Sequence, residues 1–474
     1  MRNFKLKKAI FILSLVMVLT LFFTMCSAAQ RIFTNEESPT LTICVEKYWD
    51  TISALPNFHY EHPEINLVTE YLPQPYDYSI LANYDINLET VPHIKSAERE
   101  ASISRIKNQL MAGEGPDVFW LWMQDISSPF TYQNANSNVF SNFEKTSESG
   151  VFMDLKPLLT QELLQKMSAS FQKWIESQEH IYYLPLGYQI CGALLPRASW
   201  QSYPDLLEEE TDYFDYFRNY AATFGEDSLR GFTGMLPCMA LAKTNDSIAS
   251  IAAQSDFNAF LDLQSQILRA QGYYPGAAST SNTRDRWCDA LSSGQAPFQG
   301  EACYDFYMLN TARILSGMGD DTRFAPVPND EGGVTAIVTS ALVVRSNTKH
   351  PEIVQQLIES FLSEKMQRSG FPDYGSTYDN FPVRAGMLED MLSDTLSHNW
   401  DLEWPDYNNY PEKNLSRETI QSFLDAESRI THYILPDDSA LALYNAYKPY
   451  CDGSQSLERT QYEIAKEFLY YSDE

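Results

Sequence analysis

Apolar and polar positions follow two regular patterns along the chain from residue 41 onward. Residues 41–46 (Leu-Thr-Ile-Cys-Val-Glu) and 65–72 alternate in the way that is typical of strands, and apolar residues recur at helical spacing over residues 96–110. Residues 117–122 return to strand character. This order of strand, strand, helix and strand favours a parallel or mixed sheet that is covered by helices.

The second half of the chain continues both patterns. A run rich in Val, Ile and Thr at residues 335–344 predicts a buried strand, and Pro351 predicts the first position of a helix with a wide apolar stripe. The remaining predicted elements are helices within residues 203–270, 384–397 and 456–471, and a short strand near residue 298. Together these elements predict the α/β fold class.

The N-terminus has the pattern of an export signal. Four basic residues precede a charge-free, mostly apolar run at residues 9–25, which is at the short limit for a membrane-spanning helix. We therefore assign residues 1–29 to a signal peptide and residues 30–40 to a polar tether.

Cys26 directly follows this apolar run, at the position where a bacterial lipoprotein carries its diacylglyceryl anchor. Met25 is larger than the residue usually cleaved before such a cysteine, and residues 27–29 offer an ordinary small-residue cleavage site. We expect lipidation at Cys26, which would hold the protein at the outer face of a bacterial cell membrane. Secretion without a lipid and retention of the leader as a membrane helix are the alternatives.

Length and charge narrow the class of protein. About 450 residues remain after the leader, which is more than one hydrophobic core usually holds, so at least two domains are expected. The chain has 63 acidic and 34 basic residues, and such a surface repels nucleic acid and anionic lipid. No nucleic-acid partner is expected, and the excess of acidic residues is interpreted as solubility for an exported protein.

Motifs for metal, redox and hydrolytic chemistry are missing from the sequence. The seven cysteines include no CxxC pair, so they are expected to be buried thiols or disulfides whose pairing the sequence does not determine. No HExxH, GxSxG, Walker or GxGxxG motif occurs. The acidic pairs at residues 320–321 and 437–438 lack the spacing of a calcium loop and are interpreted as solvated surface. No metal, cofactor or catalytic residue is predicted.

Five segments of the chain together carry a family pattern. The first is Ile106-Lys-Asn-Gln-Leu-Met-Ala-Gly-Glu-Gly-Pro-Asp117-Val, a helix, a glycine turn and the start of a strand. The others are residues 152–158 (Phe-Met-Asp-Leu-Lys-Pro-Leu), 182–188 (Tyr-Tyr-Leu-Pro-Leu-Gly-Tyr), 325–364 (beginning Ala-Pro-Val-Pro-Asn-Asp-Glu-Gly-Gly-Val) and 381–388 (beginning Phe-Pro-Val-Arg), with a matching ending at 453–458. In content and order they resemble the extracellular solute-binding proteins of family 1 in ABC importers, to which maltodextrin-binding proteins belong.

The resemblance implies a periplasmic-binding-protein-like fold of type II, in which two discontinuous α/β lobes are joined by a multi-segment hinge. The implied boundaries are residues 41–187 plus 324–373 for lobe I and residues 188–323 plus 374–474 for lobe II, with crossing segments near Tyr188, Arg323 and Asp373. Closure of such a hinge over a ligand is a recognised domain motion.

Aromatic and polar residues near strand ends are the candidate ligand contacts. Sugar sites combine aromatic platforms with polar side chains, and the chain is 13% aromatic, with 29 tyrosines and 8 tryptophans. The candidates are Tyr48, Trp49, Trp120, Trp122, Gln124, Asp125, Tyr188, Gln189, Glu301, Tyr304, Tyr307 and Tyr374. Core packing is the alternative for Trp120, and the loops at residues 73–92 and 400–410 have no assigned role.

These observations predict a monomeric, non-catalytic binding protein that captures a mono- or oligosaccharide and delivers it to the permease subunits of an ABC importer. The competing hypothesis is a secreted acidic glycoside hydrolase, which would use two carboxylates across an aromatic cleft. A third hypothesis is a non-sugar ligand such as a polyamine or a peptide, because one architecture can accept different ligands.

Overall fold

The structure is a computed structural model. It describes residues 38–46, 54–73, 97–122, 139–202, 212–226, 229, 232, 236–241, 257–271, 312, 316, 321–369, 380–393, 414–451 and 453–473. The predicted signal peptide with Cys26 and the predicted strand near residue 298 lie outside these residues.

Strands and helices alternate along the described chain. The strands are β1 (Thr40–Glu46), β2 (Asn66–Leu72), β3 (Val118–Trp122), β4 (Tyr183–Ile190), β5 (Gly192–Pro196), β6 (Thr322–Pro326), β7 (Val334–Val344), β8 (Phe381–Pro382) and β9 (Ile430–Ile434). The helices are α1 (Ala54–Glu61), α2 (Ala97–Met111), α3 (Phe143–Glu148), α4 (Gln161–Leu164), α5 (Ala169–Ser177), α6 (Arg197–Ser202), α7 (Tyr213–Phe224), α8 (Leu236–Leu241), α9 (Phe257–Gln271), α10 (Pro351–Phe361), α11 (Glu364–Ser369), α12 (Met387–Ser393), α13 (Arg417–Ser428), α14 (Asp438–Cys451) and α15 (Leu457–Asp473).

The elements predicted from periodicity are confirmed where the structure describes them. Strands β1, β2, β3 and β7 each agree with their predicted bounds to within one residue, and α10 begins at Pro351 as predicted. Helix α12 starts three residues later than the predicted 384, because residues 385–386 form a turn in which Gly386 has a φ of 75°.

Seven strands form one mixed sheet in the order β2-β1-β3-β7-β4-β8, and β9 also pairs with β7. Strand β1 is parallel to its neighbours β2 and β3, whereas β7 is antiparallel to both β3 and β4. A strand from residues 334–344 therefore lies between two strands from the first 190 residues of the chain. The fold class is α/β, as predicted, and the sheet is mixed.

The sheet is the centre of the core. All eleven residues of β7 are buried, and the apolar stripe of α10 packs on the sheet with the Phe361 ring 4.7 Å from the Trp120 ring. Phe119, the next residue of β3 toward the N-terminus, contacts Phe140 at 5.1 Å between ring centroids. Successive side chains of a strand point to opposite faces, so Trp120 and Phe119 lie on opposite faces of β3. Helix α10 therefore covers one face of β3 and Phe140 covers the other.

The Gly-Pro-Asp segment anchors the amino ends of the central strands. Asp117 Oδ1 pairs with Arg345 Nη2 at 2.9 Å, and Asp117 Oδ2 accepts a hydrogen bond from the Thr42 backbone N–H at 3.0 Å. Arg345 Nη1 also donates to the Gly113 carbonyl at 2.7 Å. One carboxylate therefore joins the start of β1, the start of β3 and the end of β7.

A second, two-stranded sheet is formed by β5 and β6. Helix α13 covers the outer edge of β6, because Ser422 Oγ accepts a hydrogen bond from the Phe324 N–H and Thr419 Oγ1 donates to the Thr322 carbonyl. On the side of α7, the Tyr216 hydroxyl donates to the Ala325 carbonyl at 2.9 Å. Side chains thus satisfy backbone groups that an edge strand would otherwise leave without partners.

The chain connects the two sheets through short segments. Strand β4 continues through Cys191 directly into β5, and residues 327–333 return from β6 to β7. A third segment, residues 435–437, leads from β9 into α14, which packs against α9 and α15. The first two segments lie close to the predicted crossings at Tyr188 and Arg323, whereas Asp373 lies outside the described residues.

The predicted lobe boundary at residue 374 does not separate the strands of the two sheets. Strands β8 and β9 belong to the segment assigned to lobe II, yet β8 pairs with β4 and β9 pairs with β7 in the seven-stranded sheet. The sheet to which β8 and β9 belong is set by pairing with strands far away in the sequence. The sequence of residues 380–434 has no periodicity that indicates which sheet they join.

Candidate functional site

The candidate site lies at the carboxyl edge of the seven-stranded sheet. Strands β1 and β3 are parallel, so Glu46 and Trp122 end at the same edge, and β4 runs in the same direction and ends there at Ile190. In open α/β sheets, ligands bind in the crevice outside the carboxyl ends of the strands. The predicted contacts Tyr48, Trp49, Gln124 and Asp125 follow β1 and β3 beyond this edge, outside the described residues.

Strand pairing is interrupted at this edge. Trp122, the last residue of β3, pairs with Ser340, and Ile434, the last residue of β9, pairs with Ile337. Among the described residues, residues 338–339 of β7 pair with neither β3 nor β9, and the register between β4 and β7 also skips Leu186 and Thr339 there. Irregularities of this kind are frequent next to binding and active sites, because they end pairing and redirect side chains.

Thr339, at this interruption, has a buried hydroxyl group. Its side chain is 3% exposed, and its hydroxyl has no hydrogen-bond partner among the described residues. A buried hydroxyl without a partner costs about 1–3 kcal/mol, so it is a group that a bound water or ligand would satisfy.

Trp120 is a core residue, which corrects its inclusion among the ligand contacts. Its side chain is 1% exposed, its Nε1 donates a 2.9 Å hydrogen bond to Ser340 Oγ, and its ring meets Phe361 edge to face. A solute cannot reach an indole that is enclosed in this way. Trp122, two residues further along β3, ends the strand at the carboxyl edge and stays a predicted contact.

Tyr188 and Gln189 are also buried, at 0% and 8% exposure, so neither presents a surface to a solute in this arrangement. The Tyr188 ring packs against Phe381 and Tyr433, with centroids 5.6 and 5.3 Å away. The prediction that both residues contact the ligand is corrected to a role beside the first connection between the sheets. The physical reason is that both faces of β4 are covered, since seven of its eight residues are buried and successive side chains point to opposite faces.

The other predicted contacts lie outside the described residues. These are Glu301, Tyr304, Tyr307 and Tyr374, together with most of the loops at residues 73–92 and 400–410. Their part in ligand binding stays a prediction.

Sequence reasoning missed Glu427, a mostly buried carboxylate near the end of α13. The Tyr188 hydroxyl donates a hydrogen bond of 3.4 Å to Glu427 Oε1. Burial raises the pKa of Glu427 to about 7, while the hydrogen bond from Tyr188 acts in the opposite direction. One sequence signal existed: Glu427 follows the buried Phe423 and Thr419 at intervals of four residues, so an acidic residue lies on the apolar stripe of its helix.

The acidic pair Asp437-Asp438 is buried, at 2% and 9% exposure. The prediction that this pair is solvated surface is therefore wrong. Asp437 Oδ2 accepts a hydrogen bond from the Phe143 N–H at 3.1 Å, and the Asp438 N–H donates to the Ser141 carbonyl. The carboxylate therefore serves the start of α3, where a helix has N–H groups without internal partners. Within the described ranges, no cluster of three or more His, Cys, Asp or Glu side chains could hold a metal ion.

A cavity of about 510 Å³ lies between β6 and the exposed face of α13. Its charged lining includes Arg323, Arg417 and Arg429 together with Glu418 and Asp425. Arg323 pairs with Glu418 and stacks 3.9 Å above the Trp200 ring, so its charge is already compensated. Among the residues that the structure describes, none of the predicted ligand contacts lines this cavity.

Cys44, Cys191 and Cys451 are buried, and Cys191 lies in the first connection between the sheets. Over the part of the chain that the structure describes, no helix combines the length and the apolar character that crossing a membrane requires.

No protein-family model matches the sequence, and no curated protein matches it. Solved structures to which the chain is similar include a family 1 extracellular solute-binding protein from Alicyclobacillus acidocaldarius, at 13% identity over 93% of this chain and 99% of that chain, with a TM-score of 0.45. A family 1 extracellular solute-binding protein from Bifidobacterium longum subsp. infantis has 12% identity over 91% and 99%, with a TM-score of 0.46. The galacto-N-biose-/lacto-N-biose I-binding protein of an ABC transporter from Bifidobacterium longum has 12% identity over 93% and 97%, with a TM-score of 0.45. The first two carry the name of the family that the five sequence segments resemble.

Proposed function

We propose that this protein is an extracytoplasmic solute-binding protein of an ABC importer, which captures a carbohydrate between two lobes and delivers it to membrane permease subunits. It would act without catalysis, as a monomer, and Cys26 would carry the lipid that holds it at the outer face of the cell membrane. The five family-like sequence segments and the geometry of the sheet connections support this proposal.

One structural observation carries it. The chain leaves the seven-stranded sheet through Cys191 and returns through residues 327–333, and both connections lie at the carboxyl edge where β1 and β3 also end. Short adjacent connections let two bodies rotate with changes at only a few backbone angles. A solute held at this edge would lie beside the hinge, where closure encloses it.

A carbohydrate is the ligand class that is favoured by the residues at the end of β3 and after β1 and β3. Trp49 and Trp122 could stack on the apolar face of a sugar ring, and Gln124 and Asp125 could bind its hydroxyl groups. A micromolar dissociation constant corresponds to about −8 kcal/mol, which a few such contacts can supply. These contacts, the ligand identity and the permease partner are parts of the proposal.

The deciding experiment is a thermal-shift screen of the protein, produced without its leader, against sugars, polyamines and peptides. A ligand at about 100 times its dissociation constant stabilises the folded protein by about 2.7 kcal/mol, which raises the melting temperature by several degrees. A rise with a mono- or oligosaccharide, followed by calorimetric binding without turnover, supports the proposal. Release of reducing ends would instead indicate a glycoside hydrolase, and a rise only with a polyamine or peptide would replace the ligand class.

The sugar identified in the screen then allows a matched test of two tryptophans. Trp122→Ala is expected to weaken binding about tenfold or more, because a lost aromatic contact costs about 1 kcal/mol in addition to the buried area. Trp120→Phe is the control, since the Trp120 ring is buried in the core. It should lower the melting temperature and leave the dissociation constant unchanged; equal losses of affinity in both variants would contradict the assignment of the site.

A further inference from the structure

Glu427 lies close to both connections between the two sheets. Its hydrogen-bond partner Tyr188 is three residues before Cys191, the first connection. Two residues after Glu427, Arg429 Nη2 donates to the Gly332 carbonyl at 3.1 Å, and the Val334 N–H donates to the Arg429 carbonyl at 2.9 Å, so this end of α13 also binds the second connection. Tyr433 of β9, whose ring contacts Tyr188, is two residues before the segment 435–437 that leads from β9 into α14.

Among the residues that the structure describes, no cation pairs with the Glu427 carboxylate. The described titratable groups that face Glu427 are Tyr188 from β4 and Tyr433 from β9. Both are uncharged at neutral pH, because burial raises the pKa of each hydroxyl further. Among the described residues, no ion pair involves Glu427, and the nearby Asp425 on its own helix is exposed and bonded to Gln421. Arg429 directs one guanidinium N–H to the Gly332 carbonyl, in the second connection.

We propose that Glu427 is a proton-controlled lock of the hinge: as a neutral acid it keeps α13, which covers β6 of the two-stranded sheet, bonded to Tyr188 of the seven-stranded sheet, and as a carboxylate it releases this contact. This inference rests on the proposed function, because it requires two bodies that move about these connections. A neutral acid can accept from Tyr188 while remaining in its apolar surroundings. A carboxylate in the same place has no compensating cation in the described part of the chain, and its ionisation favours arrangements in which water reaches it.

The direction of the effect follows from the pKa. Burial raises the pKa of Glu427 to about 7, so the described arrangement is populated most at acidic pH and loses population as the pH rises through about 7. An outward-facing protein would meet this range of pH directly, and its affinity for a solute would change with the distribution of hinge angles.

The test is a distance measurement across the hinge, made on the protein produced without its leader. Spin labels on non-natural amino acids at the exposed positions Lys107 of α2 and Asp262 of α9 report the separation of the two bodies by pulsed electron paramagnetic resonance. In the wild type we expect the distance distribution to change between about pH 5 and about pH 9 with a midpoint near 7. Glu427→Gln should keep the acidic distribution at every pH, because glutamine mimics the neutral acid.

Two further variants sharpen the result. Tyr188→Phe should move the midpoint upward, since the lost hydrogen bond favours the carboxylate. Asp425→Asn, a charge change two residues away on the exposed face, should titrate like the wild type. A wild-type distribution that does not depend on pH, or one that depends on pH equally in Glu427→Gln, overturns the lock.

The outcomes separate this inference from the proposed function. A protein that closes on a sugar but keeps its distances between about pH 5 and about pH 9 contradicts the lock alone. A protein whose distances change with neither pH nor any solute contradicts the two-lobed hinge as well.

Discussion

Trp120 donates a hydrogen bond of 2.9 Å from its indole nitrogen to Ser340 Oγ, across the boundary between β3 and β7. The bond lies inside the sheet core, two residues before β3 ends at the candidate site. It distinguishes two tryptophans that the sequence offers as ligand contacts, with core packing as the alternative for Trp120: Trp120 stabilises the sheet, and Trp122 ends β3.

Ser340→Ala is expected to lower the free energy of unfolding by about 1 kcal/mol, because Trp120 Nε1 loses this buried acceptor. Urea denaturation measures the change. Ser428→Ala, which removes an exposed hydroxyl, is the control and should stay within about 0.5 kcal/mol of the wild type. Weaker solute binding without a loss of stability in Ser340→Ala would show that Trp120 belongs to the site after all.

Asp117→Asn is expected to destabilise the protein by about 3 kcal/mol, because it leaves the mostly buried Arg345 guanidinium without its counter-charge. Chemical denaturation at constant pH checks this value. Glu162→Gln provides the comparison, since the Glu162–Lys166 pair lies on the surface and its loss should leave stability unchanged. Similar effects of the two substitutions would mean that the Gly-Pro-Asp segment does not anchor the strands.

Gly192→Ala is expected to cost about 1–3 kcal/mol, because the new methyl group would lie 2.5 Å from the Phe324 ring and 2.7 Å from the Ala325 carbonyl oxygen. The strain falls in the first connection between the sheets. Combining it with Phe324→Leu should recover part of the loss in a double-mutant cycle, since the ring contact is relieved while the carbonyl contact remains. Strictly additive losses would contradict a direct clash.

Stability should depend on the ionisation of Glu427. The pKa is raised from 4.5 to about 7 on folding, so the folded state holds a proton that the unfolded state has released between these values. This group therefore contributes most stability below about pH 4.5, and up to about 3 kcal/mol of that contribution disappears as the pH rises to about 7.

Denaturation at a series of pH values measures this slope. Glu427→Gln should be flatter than the wild type between about pH 4.5 and about pH 7 and more stable than it above that range. Equal slopes in the two proteins would mean that Glu427 is hydrated in the folded state.

Local patterns were sufficient for the elements and for the fold class. Each strand or helix packs one face against the core, so its apolar residues recur at the period of that element. This spacing can be recognised in consecutive residues, as in β1, β2, β3, β7 and α10. The candidate edge followed as well, because parallel strands end together and the residues after β1 and β3 could be read directly from the chain.

The sequence by itself therefore determined the α/β class and the bounds of its main strands, and it predicted the edge at which we propose that a solute binds. Only the tertiary structure decided that Trp120 is core, that Asp437 is buried, that β8 and β9 join the first sheet and that Glu427 meets Tyr188. The physical reason is sequence separation: Tyr188 and Glu427 are 239 residues apart, and no local period records which distant strand or helix will exclude water from a side chain.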